Sequence, residues 1–248
     1  MNKILVSATT GVAALAVAML ASSANAAILA NYDFDSTIFI PTPNVNGAKS
    51  SASTVQPTNG TASAFTFTIN SSEDASPTDS GFSTSTSNHA FIRSKATGTD
   101  AAAAAADDDF FNFTVTANSG YQLNLTSLTF DLGATSSSSF TSTLYVWSGV
   151  TPPTAGNVIG SGTASSAGGT PIFSSNNKSI SLTAPAYQGL QTITFRLAFA
   201  DSLNAGDAIN RLDNVVLNGD VVVPEPASLG LLGLGALMLR RRRTASAR

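Results

Sequence analysis

The 248-residue chain has few of the side chains that carry out chemistry. It has no Cys, which excludes disulfides, thiol catalysis and thiolate metal sites, and its one His, His89, leaves little for a zinc site or a catalytic dyad. Its glutamates are Glu73 and Glu225, and no spacing of Asp residues singles out the carboxylate pair that a glycosidase needs. The sequence therefore predicts no catalytic residue, and a polysaccharide-active enzyme is the least favoured alternative.

Two aromatic residues have the spacing of a sugar-stacking platform. Tyr145 and Trp147 share parity within the candidate strand 140–147, so they project from the same face. Amphipathic rings on one face suit carbohydrate binding, and packing in the core is the alternative interpretation.

The charge balance excludes one class of partner. Charged residues make up 11% of the chain, against about 25% in typical soluble domains. Between Ala27 and Pro226 there are 15 acidic and six basic residues, a net charge of −9. Such a surface repels phosphate backbones, so we expect no nucleic-acid partner.

The first 26 residues have the pattern of a secretory signal. Lys3 precedes an apolar stretch from Ile4 to Leu20, and Ala24-Asn25-Ala26 supplies a small-x-small site. We expect a signal peptidase to cleave before Ala27, the alternative being a retained membrane helix.

The C-terminal region combines three features in a fixed order. Pro224-Glu225-Pro226 is followed by the uncharged run Ala227 to Leu239 and then by Arg240, Arg241, Arg242 and Arg243. The run has 13 residues, against about 20 for a comfortable membrane-spanning helix. The arginines would stop transfer by staying on the cytoplasmic side, which leaves the triplet at the outer surface.

This ordered set resembles the PEP-CTERM sorting signal of Gram-negative bacteria. The resemblance implies that Pro224, Glu225 and Pro226 are recognised by an exosortase-like processing enzyme after transient residence in the inner membrane. It also implies a final location at the cell surface or outside the cell, in association with exopolysaccharide. An ordinary C-terminal anchor is the alternative.

Alternation with period two dominates the middle of the chain and predicts an all-β fold. It is clearest at Phe65 to Ile69, Phe111 to Thr116 and Thr192 to Phe199. About nine strands, separated by Gly, Ser, Asn and Pro clusters, predict a two-sheet antiparallel β-sandwich of jelly-roll type. We therefore divide the chain into a signal peptide (1–26), a jelly-roll-like domain (27–220) and a sorting signal with an apolar helix (221–248).

Two segments depart from this simple pattern. Leu123 and Leu125 have odd numbers, whereas Leu128, Phe130 and Leu132 have even ones, so we expect a bulge or a corner at Thr126-Ser127. Residues 97–109, 71–87 and 149–169 are predicted to be polar connections, with Asp107, Asp108 and Asp109 in a solvated acidic loop that follows at most one helical turn.

The first and last candidate strands, around 30–35 and 211–219, resemble those of jelly-roll, carbohydrate-binding-like domains. In that family, acidic residues from these two strands meet around a structural calcium. The resemblance places Asp33, Asp35, Asp213 and Asn214 at such a site, and their oxygens are ligands that Ca²⁺ accepts. A turn or bulge at Asp213 and Asn214 is the alternative.

These observations predict an exported, non-catalytic protein of the cell surface or extracellular matrix. The alternative is a carbohydrate-binding module that recognises the matrix polysaccharide.

Overall fold

The computed structural model describes residues 26–34, 49–68, 80–83, 89–92, 98–107, 109–135, 138–149, 153–167, 172–202 and 209–224. The predicted signal peptide, Glu225, Pro226 and the apolar run with its arginines lie outside these residues. Within them are one short α-helix, two 3-10 turns (Ala155–Asn157 and Pro185–Tyr187) and thirteen strands, namely β1 (Ala27–Tyr32), β2 (Lys49–Ser51), β3 (Gly60–Ala62), β4 (Phe65–Thr68), β5 (Ser80–Ser83), β6 (His89–Ile92), α1 (Ala101–Asp107), β7 (Phe110–Ala117), β8 (Gln122–Thr135), β9 (Ser139–Ser148), β10 (Val158–Ala167), β11 (Ile172–Ser181), β12 (Thr192–Asp201) and β13 (Ile209–Val222).

The strands form two antiparallel sheets, which confirms the predicted all-β sandwich. Sheet A has the order β11-β8-β13-β6-β5, and β1 also pairs with β13. Sheet B has the order β10-β9-β12-β7-β4-β2, and β3 also pairs with β7. β13 therefore has β8 along one edge and both β6 and β1 along the other.

The last eight strands have jelly-roll connectivity. β6 pairs with β13, β7 with β12, β8 with β11 and β9 with β10, and these nested pairs alternate between sheets A and B. A chain that folds as one long hairpin and then rolls up produces this order.

The core lies between the sheets and is rich in aromatic rings. Phe113 of β7 stacks on Phe195 of β12 with their ring centroids 5.1 Å apart, and Phe65 of β4 lies 5.7 Å from Phe113. Tyr32 of β1 reaches across from sheet A and lies 5.1 Å from Phe113. These residues occupy alternate positions on their strands, so period two in the sequence becomes one buried face.

The change of parity in β8 is a bulge, one of the two predicted irregularities. Ser127 pairs with Asn218 and Leu125 with Gly219, so Thr126 is the extra residue in a continuous strand. Both leucine sets thereby face the core. Gly219 allows the close approach, because a Cβ there would lie 2.5 Å from the carbonyl oxygen of Asn124 and 3.0 Å from the Cα atom of Leu125.

Three predictions about strands and connections need correction. The described residues contain thirteen strands where about nine were expected. The predicted connection 149–169 contains the ten-residue strand β10, and the predicted connection 71–87 contains β5. The inner face of β10 carries small residues in place of large apolar ones, because Gly160 and Gly162 meet Ile180 and Leu132 from the other sheet.

We predict that Gly219→Ala lowers the free energy of unfolding by about 1–3 kcal/mol, because the added methyl group overpacks the bulge. The matched control is Gly156→Ala, since a Cβ at Gly156 meets no atom within 4 Å. Urea unfolding of both variants measures the difference. Equal stability of the two variants would mean that β8 and β13 are not so closely apposed at Gly219.

We also predict a loss of stability at high pH that depends on Tyr32. Its hydroxyl donates to the Ser63 carbonyl at 2.7 Å, and burial raises the pKa of this phenol well above its usual value. The unfolded chain ionises near pH 10, so the stabilisation is complete below about pH 10 and declines as the pH rises toward the folded pKa. Unfolding midpoints measured from pH 8 to 11 should fall more steeply for the natural chain than for Tyr32→Phe, and parallel curves would contradict this assignment.

Candidate functional site

The end of β13 determines where the predicted sorting segment leaves the domain. Val222 pairs with Gln122 of β8, and the described chain ends two residues later at Pro224. The last two residues of β13 therefore extend past residue 220, where the sequence placed the domain boundary. The triplet Pro224-Glu225-Pro226 begins two residues after the last residue of β13.

The predicted N-terminal processing point lies at the same end of sheet A. β1 begins at Ala27, the first residue after the expected cleavage site, and Ala27 pairs with Gly219 of β13. The two chain ends therefore leave the sandwich from neighbouring antiparallel strands.

The structure brings together three of the four residues predicted to bind calcium. Tyr32 pairs with Val215, which places Asp33 beside Asn214, and Asp213 pairs with Asp131 across the β8–β13 ladder. Asp35 lies outside the described residues.

Hydrogen bonds in this group form a bulge in β13. Asn214 has a φ of +49°, its backbone N–H donates to Asp213 Oδ1 at 2.7 Å, and its side-chain amide donates to Asp131 Oδ2 at 2.8 Å. The other Asp131 oxygen accepts from the Asn177 backbone at 2.6 Å. These contacts match the bulge interpretation. No three carboxylate, His or Cys groups among the described residues are placed to hold a metal ion, and calcium binding stays a prediction.

The two residues predicted to stack on sugars lie beneath α1. Trp147 is 1% exposed, and its indole N–H donates to the Thr154 carbonyl at 2.9 Å. It packs with Phe110, whose ring centroid is 6.1 Å away, on the outer face of sheet B. Tyr145 is half-buried and donates to the Thr99 carbonyl at 2.9 Å. This position gives Trp147 no open ring face for a sugar and agrees with the alternative interpretation of core packing.

The helix that covers these rings was not expected as a packed element. Asp100 caps it, because Asp100 Oδ1 accepts from the Ala103 backbone N–H at 2.9 Å. Ala104 is fully buried against sheet B, beside Trp147. Burial raises the pKa of the Tyr145 phenol, and the nearby Asp100 carboxylate raises it further.

The acidic residues that follow the helix are also placed differently from the prediction. Asp107 and Asp109 are buried, so the expectation of a solvated acidic loop is wrong for them. Asp108 lies outside the described residues. Counting charges along the sequence could not reveal this burial, because it depends on how α1 packs onto sheet B.

A buried polar group inside the sandwich was not predicted from the sequence. Ser142, Asp201 and Asn210 all face the core, and the Asn210 amide donates to Asp201 Oδ2 at 3.1 Å. Within the described part of the chain, Ser142 Oγ and Asn210 Oδ1 have no hydrogen-bond partner. The alternation that places these residues in strands also marks their positions as inward-facing, and that was the only available clue.

Comparison with known families identifies the segment that follows the domain. Residues 222–243 match the PEP-CTERM protein-sorting motif, as the resemblance of the triplet, apolar run and arginines had suggested. The motif implies an exported protein that an exosortase-like enzyme processes and that reaches the cell surface afterwards. The matched range begins on the last residue of β13. A comparison with curated proteins gave no match. In the described ranges, no helix is long and apolar enough to cross a membrane.

We predict that Trp147 contributes to folding and not to sugar contact. Trp147 is the single Trp of the chain, so its fluorescence reports on one site. Emission should be blue-shifted, resistant to acrylamide quenching and unchanged by added polysaccharide. Trp147→Ala should lower the free energy of unfolding by about 3–5 kcal/mol. A fully stable Trp147→Ala variant that loses glycan retention would instead identify a ligand surface.

Proposed function

We propose that the chain is a non-catalytic structural protein of the cell surface or exopolysaccharide matrix. A signal peptidase and an exosortase-like enzyme trim it to its β-sandwich. The observation that carries the proposal is the junction at Val222, where the sheet ends and the matched motif begins. Cleavage after the triplet would remove no residue from any strand of the described sandwich.

The surface chemistry of sheet B supports a role in a neutral, hydrated matrix. On its outer face, Thr114 and Thr194 share a hydroxyl–hydroxyl hydrogen bond of 2.7 Å, and Thr116 and Thr192 share one of 2.8 Å. Thr favours strand structure and makes the solvent face of the sheet polar without adding charge. An uncharged hydroxyl surface can exchange hydrogen bonds with polysaccharide without binding one sugar tightly.

The carbohydrate-binding alternative needs exposed rings in a groove, and Trp147 is buried. The enzymatic alternative needs two carboxylates that flank a sugar, and no described geometry favours one. We therefore retain the structural role as the proposal.

We predict that the extracellular form begins at Ala27 and lacks the apolar run, and that Glu225→Gln prevents this C-terminal trimming. Intact-mass analysis of the protein secreted by a host with an exosortase measures both. The matched control is Asp220→Asn, which also removes one carboxylate but lies in β13, before the triplet. It should leave trimming unchanged.

Recovery of an extracellular chain that still ends at Arg248 would contradict processing. Equal trimming of the Glu225→Gln and natural chains would remove the triplet from its proposed recognition role.

A further inference from the structure

Several turns of the sandwich share one end with the junction at Val222. We call this the tail end. There β13 finishes, β1 and β8 begin, and residues 57–60, 118–121 and 182–191 form turns. The turn 182–191 is fixed to β8, because Gln188 Nε2 donates to the Leu125 carbonyl and the Gly189 N–H donates to Asn124 Oδ1, both at 2.8 Å.

The tail-end turns carry no charge, although the domain has a net charge of −9. None of the described residues 57–60, 118–121 and 182–191 is acidic or basic. Asp220 of β13 is the charged residue that comes closest to the junction along the described chain. Asp201 ends β12 and Asp109 directly precedes β7, so both lie toward the opposite end, whereas Asp100 and Asp107 flank α1 on the outer face of sheet B.

The tail end also concentrates partly exposed apolar side chains. Tyr121, Tyr187, Leu190 and Val221 pack against the main core while keeping some exposure. Of the large apolar residues that the structure describes, Val223 (65%) and Ile28 (45%) are the exposed ones; Val223 directly follows β13 and Ile28 lies at the start of β1. Tyr187 and Leu190 line an open groove of about 260 Å³.

The short segment between β13 and the apolar run limits how far the tail end can lie from the membrane. Five residue steps separate Val222 from Ala227, the first residue of the uncharged run, and an extended chain covers at most about 18 Å in five steps. Headgroups occupy roughly 5–8 Å on each side of the hydrocarbon core. While that run is in the membrane, the tail end lies at the bilayer surface.

We propose that the tail end is a membrane-docking surface, and that through it the unprocessed protein contacts the outer leaflet of the inner membrane. The inference rests on the proposed membrane residence before processing. Tyr121 and Tyr187 present rings with an apolar body and a polar tip, which is the side-chain type enriched at headgroup depth. No residue of the three described turns is acidic, which limits repulsion from anionic lipids, and Asp109 and Asp201 lie toward the other end of the sandwich.

The test uses the natural lack of Cys. Ser119→Cys at the tail end and Ser139→Cys at the opposite end, both exposed, receive the same fluorophore. The full chain is reconstituted in phosphatidylcholine vesicles containing a lipid with a nitroxide on its headgroup. A β-strand of 14 residues spans about 45 Å, so short-range quenching by the headgroup nitroxide can distinguish a label at one end of the sandwich from a label at the other. We expect quenching several-fold stronger at position 119, and equal quenching would overturn the proposal.

A second pair of variants separates docking from simple tethering. Tyr121→Asp combined with Tyr187→Asp should at least halve the quenching at position 119, while the chain still floats with the vesicles and Trp147 emission stays blue-shifted. Unchanged quenching would overturn the role of the tyrosines. Pyrene excimers at position 119 without lipid would assign the surface to a second copy and overturn membrane docking. A chain that does not float would contradict the proposed membrane residence instead.

Discussion

Strand β13 must occupy the middle of sheet A before that sheet can exist, and it is also the last described strand before the sorting motif. It pairs with β8 along almost its whole length and holds β6 and β1 on its other edge. Without it, β8 and β11 would be separated from the strands on the far side of the sheet. In the proposed export, with the N-terminus leading, the sandwich would close only when residues 209–222 have emerged. The apolar run after Pro226 would then hold that newly closed end at the membrane.

The nested strand pairs explain why sequence patterns predicted the architecture but not the strand order. Period two marks a residue such as Phe113 as buried and leaves open whether its strand pairs with β12 or with β8. In the structure, β7 pairs with β12 across more than seventy residues of chain. Such long-range pairing depends on the packing of the complete sandwich and is not encoded in a local pattern. The shift of parity at Thr126 was predictable because it is local, and the ladder shows it as one extra residue.

The errors of prediction have a common physical origin: each concerns a segment that is stabilised by packing contacts with a neighbouring element. β10 was taken for a connection because Gly160 and Gly162 give it no apolar face, yet Ile180 and Leu132 fill the space above them. The run of alanines was taken for a loop because a short helix is marginal alone. The cap at Asp100 and burial against Trp147 stabilise it. The same burial removes Trp147 from the surface. The triplet at 224–226 was recognisable from the sequence because the sorting motif consists of contiguous residues and does not depend on folding.

The placement of polarity links composition to location. Cross-strand Thr pairs make the outer face of sheet B wettable without charge, so the strands can be long and regular at low charge density. Asp201 and Asp109 are buried and lie toward the end of the sandwich opposite the tail end. A uniformly acidic domain on a tether of a few residues would be repelled by an anionic bilayer across roughly one Debye length, about 8 Å at physiological ionic strength. With uncharged turns around the junction, the short tether and the negative domain are compatible.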